Sequence, residues 1–340
     1  MNRRTFVLGA SSILASCGNE RRLNVYNWSD YIAPEAITGF QREFGVRVHY
    51  GTYESNQEML AKVMSGNSGW DVVFPSEDFI GPMREMGLLA KIDHGRLSNL
   101  NALDSPFRTP PWDPQLAHCV PYMHGVTGIV YQKSVAQAPR SWADLWDRRF
   151  SGKLSMLDDQ PEVFAACLKK LGYSLNSGDS MELVAAKSEA IQQKRVVRAY
   201  LNAEARDQLV SGDLLAAQAW AVTAAQAMSG AEGRLGFVLP SEGYPRFADN
   251  VAILKESRRL ELAHQWIDYL LRPEVAAKIA NVTLTATPNA EAWKRLQSRI
   301  REDPVLYPPA GELTRGEWFA TPTAAAQRLR DRMWTEIKSA

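Results

Sequence analysis

The 340-residue sequence lacks the short motifs on which most enzymes depend. It has no Gly-x-Ser-x-Gly nucleophile elbow, no Walker phosphate loop, no His-Glu-x-x-His and no Cys-x-x-Cys pair. Its five histidines are scattered, and neither His118 nor His124 has a partner at metal-ligand spacing. The sequence therefore predicts no catalytic centre, no metal site and no cofactor.

Cysteine is also scarce, and the charges are balanced. Three cysteines cannot build a disulfide framework, and we expect Cys119 and Cys167 to be buried thiols that do not pair. The formal net charge is only +1, whereas a nucleic-acid-binding protein should carry a basic excess. With 45% hydrophobic and 23% charged residues, the composition is that of a folded globular protein without a nucleic-acid partner.

No apolar run reaches the roughly 20 residues that a membrane-spanning helix needs. The first residues instead indicate a secretory signal: Arg3 and Arg4 precede a short apolar segment, and Leu14-Ala15-Ser16-Cys17 resembles a bacterial lipobox. This predicts a signal peptide over residues 1–16 and a lipid on Cys17. The arginine pair fits a twin-arginine signal and an ordinary Sec signal equally well. We expect a soluble body in the periplasm or at the outer face of the cytoplasmic membrane, tethered by its lipid.

The first hundred residues alternate predicted strands with predicted helices. The strands are residues 23–26, 46–50 and 71–74, and the helices are residues 34–44, 55–64 and 79–86. This alternation is typical of βαβ units with a parallel sheet, which predicts an α/β fold. A second series begins near residue 125, and we expect the chain to cross into a second lobe near residue 124. There the alanine-rich stretch 214–228 predicts one helix by its intrinsic propensity.

Polar and aromatic residues follow each of the first three predicted strands, at 28–31, 52–54 and 76–78. Ligands of open α/β sheets bind at the carboxyl ends of the strands, so these clusters should converge on one crevice. The first cluster places Asp30 between Trp28 and Tyr31. A carboxylate between aromatic faces suits an organic cation, although ordinary core aromatics at a strand end would give the same pattern.

A series of motifs in this order resembles the spermidine/putrescine-binding periplasmic proteins of bacterial ABC importers. They are Tyr26-Asn27-Trp28-Ser29-Asp30-Tyr31, Thr52-Tyr53-Glu54-Ser55-Asn56, Asp71-Val72-Val73-Phe74-Pro75-Ser76, Ser141-Trp142-Ala143-Asp144-Leu145-Trp146, Leu171-Gly172-Tyr173, Leu270-Leu271-Arg272-Pro273-Glu274-Val275-Ala276, Ala286-Thr287-Pro288-Asn289 and Gly316-Glu317-Trp318. The resemblance covers nearly the whole mature chain. It implies a two-lobe periplasmic-binding-protein fold, with the ligand cleft between lobes joined by hinge crossings.

The resemblance also implies lobe boundaries and one change of secondary structure. Lobe 1 would comprise residues 17–123 and 250–294, and lobe 2 residues 124–249 and 295–340. Within the stretch 214–228, the family has a strand that ends at the tryptophan and then a helix, in place of the single helix that propensity predicts.

The ligand residues that the resemblance implies come from several parts of the chain. We add to them the two acids that follow Ser76, which are Glu77 and Asp78. The predicted ligand set is then Trp28, Ser29, Asp30, Tyr31, Ser76, Glu77, Asp78, Asp159, Glu162, Trp220, Phe247 and Asp249. Taken one at a time, Trp220 and Phe247 would be core aromatics and Asp159 a helix N-cap. Three positions depart from the family pattern: Asp78 replaces an aromatic residue, Thr285 a tyrosine and Phe319 a glutamine.

The expected function is capture of a polyamine for an ABC importer, with permease subunits as partners and the binding protein itself a monomer. A polyamine-sensing receptor-adapter would share every feature of the sequence, and the departures leave room for another cationic metabolite. An anion-binding relative should instead place Arg or Lys in the cleft.

Overall fold

The computed structural model describes residues 21–340. The predicted signal peptide and Cys17 lie outside the described residues. Within them the strands are β1 (Arg22–Trp28), β2 (Arg47–Tyr53), β3 (Val72–Val73), β4 (Cys119–Gln132), β5 (Leu154–Met156), β6 (Val197–Tyr200), β7 (Ala216–Trp220), β8 (Leu235–Val238), β9 (Tyr244–Ile253) and β10 (Gly316–Trp318). The α-helices are α1 (Pro34–Phe44), α2 (Asn56–Met64), α3 (Glu77–Glu85), α4 (Ser105–Arg108), α5 (Gln160–Lys170), α6 (Ser180–Gln193), α7 (Ala205–Ser211), α8 (Ala221–Gly230), α9 (Leu260–Leu270), α10 (Pro273–Thr283), α11 (Ala290–Trp293), α12 (Ser298–Arg301), α13 (Ala310–Leu313) and α14 (Ala324–Ser339).

The strands form one continuous hydrogen-bonded path in the order β2-β1-β3-β9-β4-β7-β5-β6, with β10 beside β9 and β8 beside β4. The βαβ units predicted for the first hundred residues are confirmed, because β1 pairs in parallel with both β2 and β3. In the second half of the path, β5 pairs in parallel with β6 and β7. Each half of the path therefore contains its own parallel strand pairs, as expected for an α/β domain.

Strands β4 and β9 join the two halves. β4 pairs with β9 from Cys119 to Val126, and from Thr127 onward it pairs with β7. On its other side, β9 pairs with β3 through Ala252 and Ile253. The change of partner between Val126 and Thr127 lies close to the crossing that the sequence predicts near residue 124.

Local sequence explains the elements of the first half. α1 has proline in its first turn, where the missing N–H is not needed, and it ends at Gly45, whose φ of +60° suits a residue without Cβ. The Ser55 hydroxyl caps α2 by accepting the backbone N–H of Glu58. These helices begin and end within a residue or two of their predicted bounds.

The propensity-based prediction of a single helix over residues 214–228 is wrong. The stretch forms β7 and then α8, as the family resemblance implied. β7 lies between β4 and β5, and its alanines Ala216, Ala217 and Ala219 are fully buried. Backbone hydrogen bonds to strands on both sides, with burial on both faces, outweigh the small helical preference of alanine.

The hydrophobic core is divided between the halves. One cluster includes Phe40, Phe74 and Trp266, and another includes Trp142 and Phe164. No helix within residues 21–340 is long and apolar enough to span a bilayer.

The two described cysteines are buried in different parts of the molecule. Cys119 lies on β4 and Cys167 on α5, in separate hydrophobic clusters, and both are free. Their predicted burial is confirmed.

Glycine is needed at one position of the crossing. Gly125 of β4 faces Phe247 of β9, and a Cβ at Gly125 would lie 2.5 Å from the ring. We expect Gly125→Ala to lower the free energy of unfolding by about 1–3 kcal/mol, because the ring must leave its rotamer. Urea denaturation measures the change. Gly311→Ala is the control, since nothing lies within 4 Å of that Cβ. Equal midpoints for the two variants would contradict this packing.

Candidate functional site

A cleft lies between the two halves, where loops at the carboxyl ends of their strands meet. Its empty space, including the part open to solvent, is about 900 Å3. All twelve predicted ligand residues line it: Trp28, Ser29, Asp30, Tyr31, Ser76, Glu77, Asp78, Asp159, Glu162, Trp220, Phe247 and Asp249. The structure thus brings the whole set together, while contact with a ligand stays a prediction.

Asp249 is at the centre of a hydrogen-bond network. Alternate residues of a strand share a face, so β9 directs both Phe247 and Asp249 into the cleft. The Asp249 carboxylate accepts from the Ser76 hydroxyl at 2.7 Å and from the Tyr31 hydroxyl. Asn56 in turn donates to Ser76 Oγ at 2.9 Å. Burial raises the pKa of Asp249 to about 6, against the two hydrogen bonds, which lower it.

Glu162 lines the cleft from the first turn of α5 and is 3% exposed. Its Oε1 accepts from the Thr127 hydroxyl at 2.7 Å and from Trp220 Nε1 at 2.9 Å. Its Oε2 is buried and has no hydrogen-bond donor among the residues described. Burial, and then the charge of Asp159, raise the pKa of Glu162 to about 8. A buried carboxylate oxygen without a donor is costly, so this atom marks a place for a cationic group.

Asp159 and Asp78 approach the cleft from opposite sides. Asp159 is the N-cap of α5, and it accepts the backbone N–H of Glu162 at 3.1 Å while also lining the cleft. Burial raises the pKa of Asp159 to about 6. Burial, followed by the charge of Asp159, raises the pKa of Asp78 to about 7. The two acids are therefore close enough to oppose each other's ionisation across the cleft.

Two other predicted acids connect separate parts of the protein, Glu77 through backbone N–H groups and Asp30 through an arginine. Glu77 is 1% exposed and accepts the backbone N–H groups of Ala248 at 2.8 Å and Phe319 at 3.3 Å. It thereby connects α3 to β9 and to the segment after β10, and burial raises the pKa of Glu77 well above its usual range. Asp30 is exposed and pairs with Arg206 of α7 at 3.5 Å.

Aromatic rings form the walls between these acids. Trp28 is fixed by its Nε1, which donates to the Phe74 carbonyl at 2.9 Å, and its ring centroid is 4.7 Å from that of Tyr53. The other aromatic residues that line the cleft are Tyr31, Phe79, Trp220, Phe247 and Phe319. The interior therefore combines flat apolar faces with carboxylates at separate places.

The electrostatics of the lining are one-sided. Among residues 21–340, seven acidic side chains and no Lys, Arg or His line the cleft: Asp30, Glu54, Glu77, Asp78, Asp159, Glu162 and Asp249. The raised pKa values follow from crowding acids in a place shielded from water. Such a lining favours a cation, and its carboxylates on both sides favour one with more than one positive centre.

Several lining residues were missing from the predicted set: Glu54, Asn56, Phe79, Asn202, Gln226 and Phe319. Glu54 belongs to the cluster after the second strand, which was recognised but not carried into the set. Phe319 was noted only as a departure from the family pattern. Asn202 lies two residues after β6, a strand that the sequence analysis does not predict, and Gln226 lies within α8 and has no local signal.

The chain is similar to known binding proteins over nearly its whole length. The sequence profile of the bacterial extracellular solute-binding protein family matches residues 35–308. The spermidine/putrescine-binding periplasmic protein of Escherichia coli (strain K12) is 34% identical over 339 residues, which cover 98% of this chain and 95% of that protein. The putrescine-binding periplasmic protein SpuD of Pseudomonas aeruginosa (strain UCBPP-PA14) is 32% identical, with 97% and 95% covered.

A solved structure agrees with these sequence relationships. The spermidine/putrescine ABC transporter substrate-binding protein PotD of Streptococcus pneumoniae superimposes with a TM-score of 0.82 at 28% identity, covering 94% of this chain and 99% of that chain. The predicted two-lobe periplasmic-binding-protein fold is confirmed.

The crowded acids make the stability of the ligand-free protein depend on pH. A carboxyl whose pKa is higher in the folded state than the usual value near 4 stabilises the fold at low pH, and this contribution is lost as pH rises through the folded pKa. Since the raised values for Asp78, Asp159, Glu162 and Asp249 lie at about 6 to 8, we expect the free energy of unfolding to fall between about pH 4 and pH 8.

Glu162→Gln should flatten this decline, because an amide does not ionise. Urea denaturation of ligand-free protein across the pH range measures it, with the exposed Glu85→Gln as the matched control. The same pH dependence in wild type and Glu162→Gln would contradict the raised pKa of Glu162.

Proposed function

Because this chain belongs to the bacterial extracellular solute-binding protein family, we propose that it captures a linear polyamine of the putrescine and spermidine class and delivers it to an ABC importer. The observation that carries the proposal is the cleft with seven carboxylates, no basic side chain and a buried Glu162 Oε2 that has no donor within residues 21–340. The names of the relatives, which describe spermidine- and putrescine-binding proteins, support the same class of ligand.

A polyamine suits this cleft because its ends are cationic and its middle is apolar. A desolvated ammonium group is costly unless a carboxylate pairs with it. We assign one ammonium to Asp249 and another to Glu162 with Asp159. Trp28 and Phe247 would then enclose the methylenes, and each cation–π contact adds about 0.5–2 kcal/mol.

We propose that ligand binding brings the two lobes together. Residues 17–123 and 250–294 would form one lobe, and residues 124–249 and 295–340 the other. Neither lobe alone surrounds the ligand, so a bound polyamine would favour the closed arrangement. An importer would then distinguish loaded from empty protein by the relative orientation of the lobes.

We further propose that the protein binds its ligand without transforming it, since the sequence contains none of the catalytic motifs considered above. The family is extracellular, and the finer expectation is a monomer tethered through a lipid on Cys17, with permease subunits as its partners. Loss of membrane association in a Cys17→Ser variant would support the anchor.

Calorimetry with putrescine, cadaverine, spermidine and spermine tests the ligand class. We expect at least one of them to bind one-to-one and to release protons near pH 7, because an ammonium favours ionisation of carboxyls whose pKa values are about 6 to 8 in the empty cleft. Titrations in phosphate and in Tris reveal the protons as a difference in heat.

n-Butylamine is the control ligand for that titration, since it has the methylene chain of putrescine but one ammonium group. It should bind far more weakly. If no polyamine gives heat, or if butylamine binds equally well, the proposed function is wrong.

Asp249→Asn should weaken polyamine binding by about 3–5 kcal/mol, because a desolvated ammonium would lose its carboxylate. Phe247→Leu should cost less, since most of its apolar contact survives. Calorimetry gives both affinities, and circular dichroism checks that each variant is folded. Unchanged affinity in Asp249→Asn would remove Asp249 from the ammonium site.

A further inference from the structure

Arg206, which lies outside the lining of the cleft, forms an ion pair with one of the cleft acids. Arg206 belongs to α7 in the second half of the molecule, and its Nη1 lies 3.5 Å from Oδ2 of Asp30, which follows β1 in the first half. Arg206 is not among the residues that line the cleft, whereas Asp30 is. The ion pair therefore lies at the rim and spans the gap between the lobes.

Both partners of this ion pair are fixed by their surroundings. Asp30 has a φ of +56°, a left-handed conformation that aspartate tolerates better than most residues. Arg206 Nε donates to Asp207 at 3.0 Å, and its Nη1 donates to Gln226 Oε1 at 3.4 Å. Gln226 is itself anchored, because its Nε2 donates to the Thr283 carbonyl at 2.9 Å. The guanidinium is thus positioned beside Asp30.

The acid at the rim and the acids deep in the cleft differ in whether a protein cation pairs with them. The deep acids Asp249 and Glu162 have no cationic partner among the ion pairs of the described residues, and they are 4% and 3% exposed. At the rim, the Asp30 side chain is 67% exposed and its charge is offset by Arg206. A polyamine would find acids without a cationic partner at depth and an acid paired with Arg206 at the entrance.

We propose that Arg206 limits how many ammonium groups the cleft accepts, and that it thereby favours a short diamine over longer polyamines. This inference rests on the proposed function. A ligand with two ammonium groups is served by the deep acids alone. A third ammonium that extends to the rim must displace the guanidinium from Asp30 or lie beside a like charge.

Removing the charge of Arg206 should therefore change selectivity. We expect Arg206→Gln to raise the ratio of spermidine affinity to putrescine affinity by about three- to fivefold, the size typical of a partly exposed ion pair. Calorimetric titration of putrescine and spermidine into each variant measures this ratio. Arg206→Lys, which keeps the charge, should leave the ratio close to that of the wild type.

Two further variants sharpen the test. Arg301→Gln is the matched control, because Arg301 pairs with Glu302 at 3.3 Å and its side chain is 30% exposed, against 34% for Arg206. The gain in ratio should be absent from Arg301→Gln. It should also disappear from the double variant Asp30→Asn/Arg206→Gln, because the rim carboxylate that would receive the third ammonium is then gone.

Three outcomes would overturn the proposal. The first is an unchanged ratio in Arg206→Gln. The second is an equal loss of affinity for both amines, which would assign the ion pair to lobe closure alone. The third is no binding of either amine by the wild type, which would refute the proposed function as well. Because the first two outcomes leave the proposed function intact, failure of the Arg206 proposal can be told apart from failure of the proposed function.

Discussion

Buried carboxylates that no protein cation neutralises are the constraint on which the rest of this molecule depends. Asp249 and Glu162 are held by hydroxyl and indole donors, and those bonds fix the side chains without cancelling their charge. The fold therefore carries an electrostatic cost in the empty cleft, visible as raised pKa values. A cationic ligand removes that cost, which links occupancy of the cleft to the stability of the whole chain.

The hinge and the site are built from the same backbone. Successive residues of β9 point to opposite faces, so Phe247 and Asp249 enter the cleft while Arg246 turns away and stacks on Trp318 at 4.1 Å. Gly125 on β4 leaves room for the Phe247 ring. A bend in β4 and β9 at this crossing would therefore move site residues.

Sequence reasoning found many of the residues that line the cleft because they follow strands, and the family resemblance added Glu162, Phe247 and Asp249. Ser76 and Asp78 come directly after β3, and the carboxyl ends of parallel strands meet at one edge whatever the details of packing. It failed at 214–228, where alanine's preference for helix is overruled by two neighbouring strands. It also missed Gln226 and the Arg206–Asp30 pair, because contacts between distant helices and loops leave no periodic or local trace in the sequence.

The topology has a consequence for how the chain acquires its structure as it grows from the N-terminus. β3 lies early in the chain, yet the strand that covers its open side is β9, whose Ile253 pairs with Val72. Until that strand has been made, β3 presents unpaired N–H and C=O groups, the kind of edge that recruits other chains. Closing so long a loop is slow, and partly built sheets aggregate. A chain that has not yet placed β9 beside β3 is therefore exposed to edge-to-edge pairing with other chains.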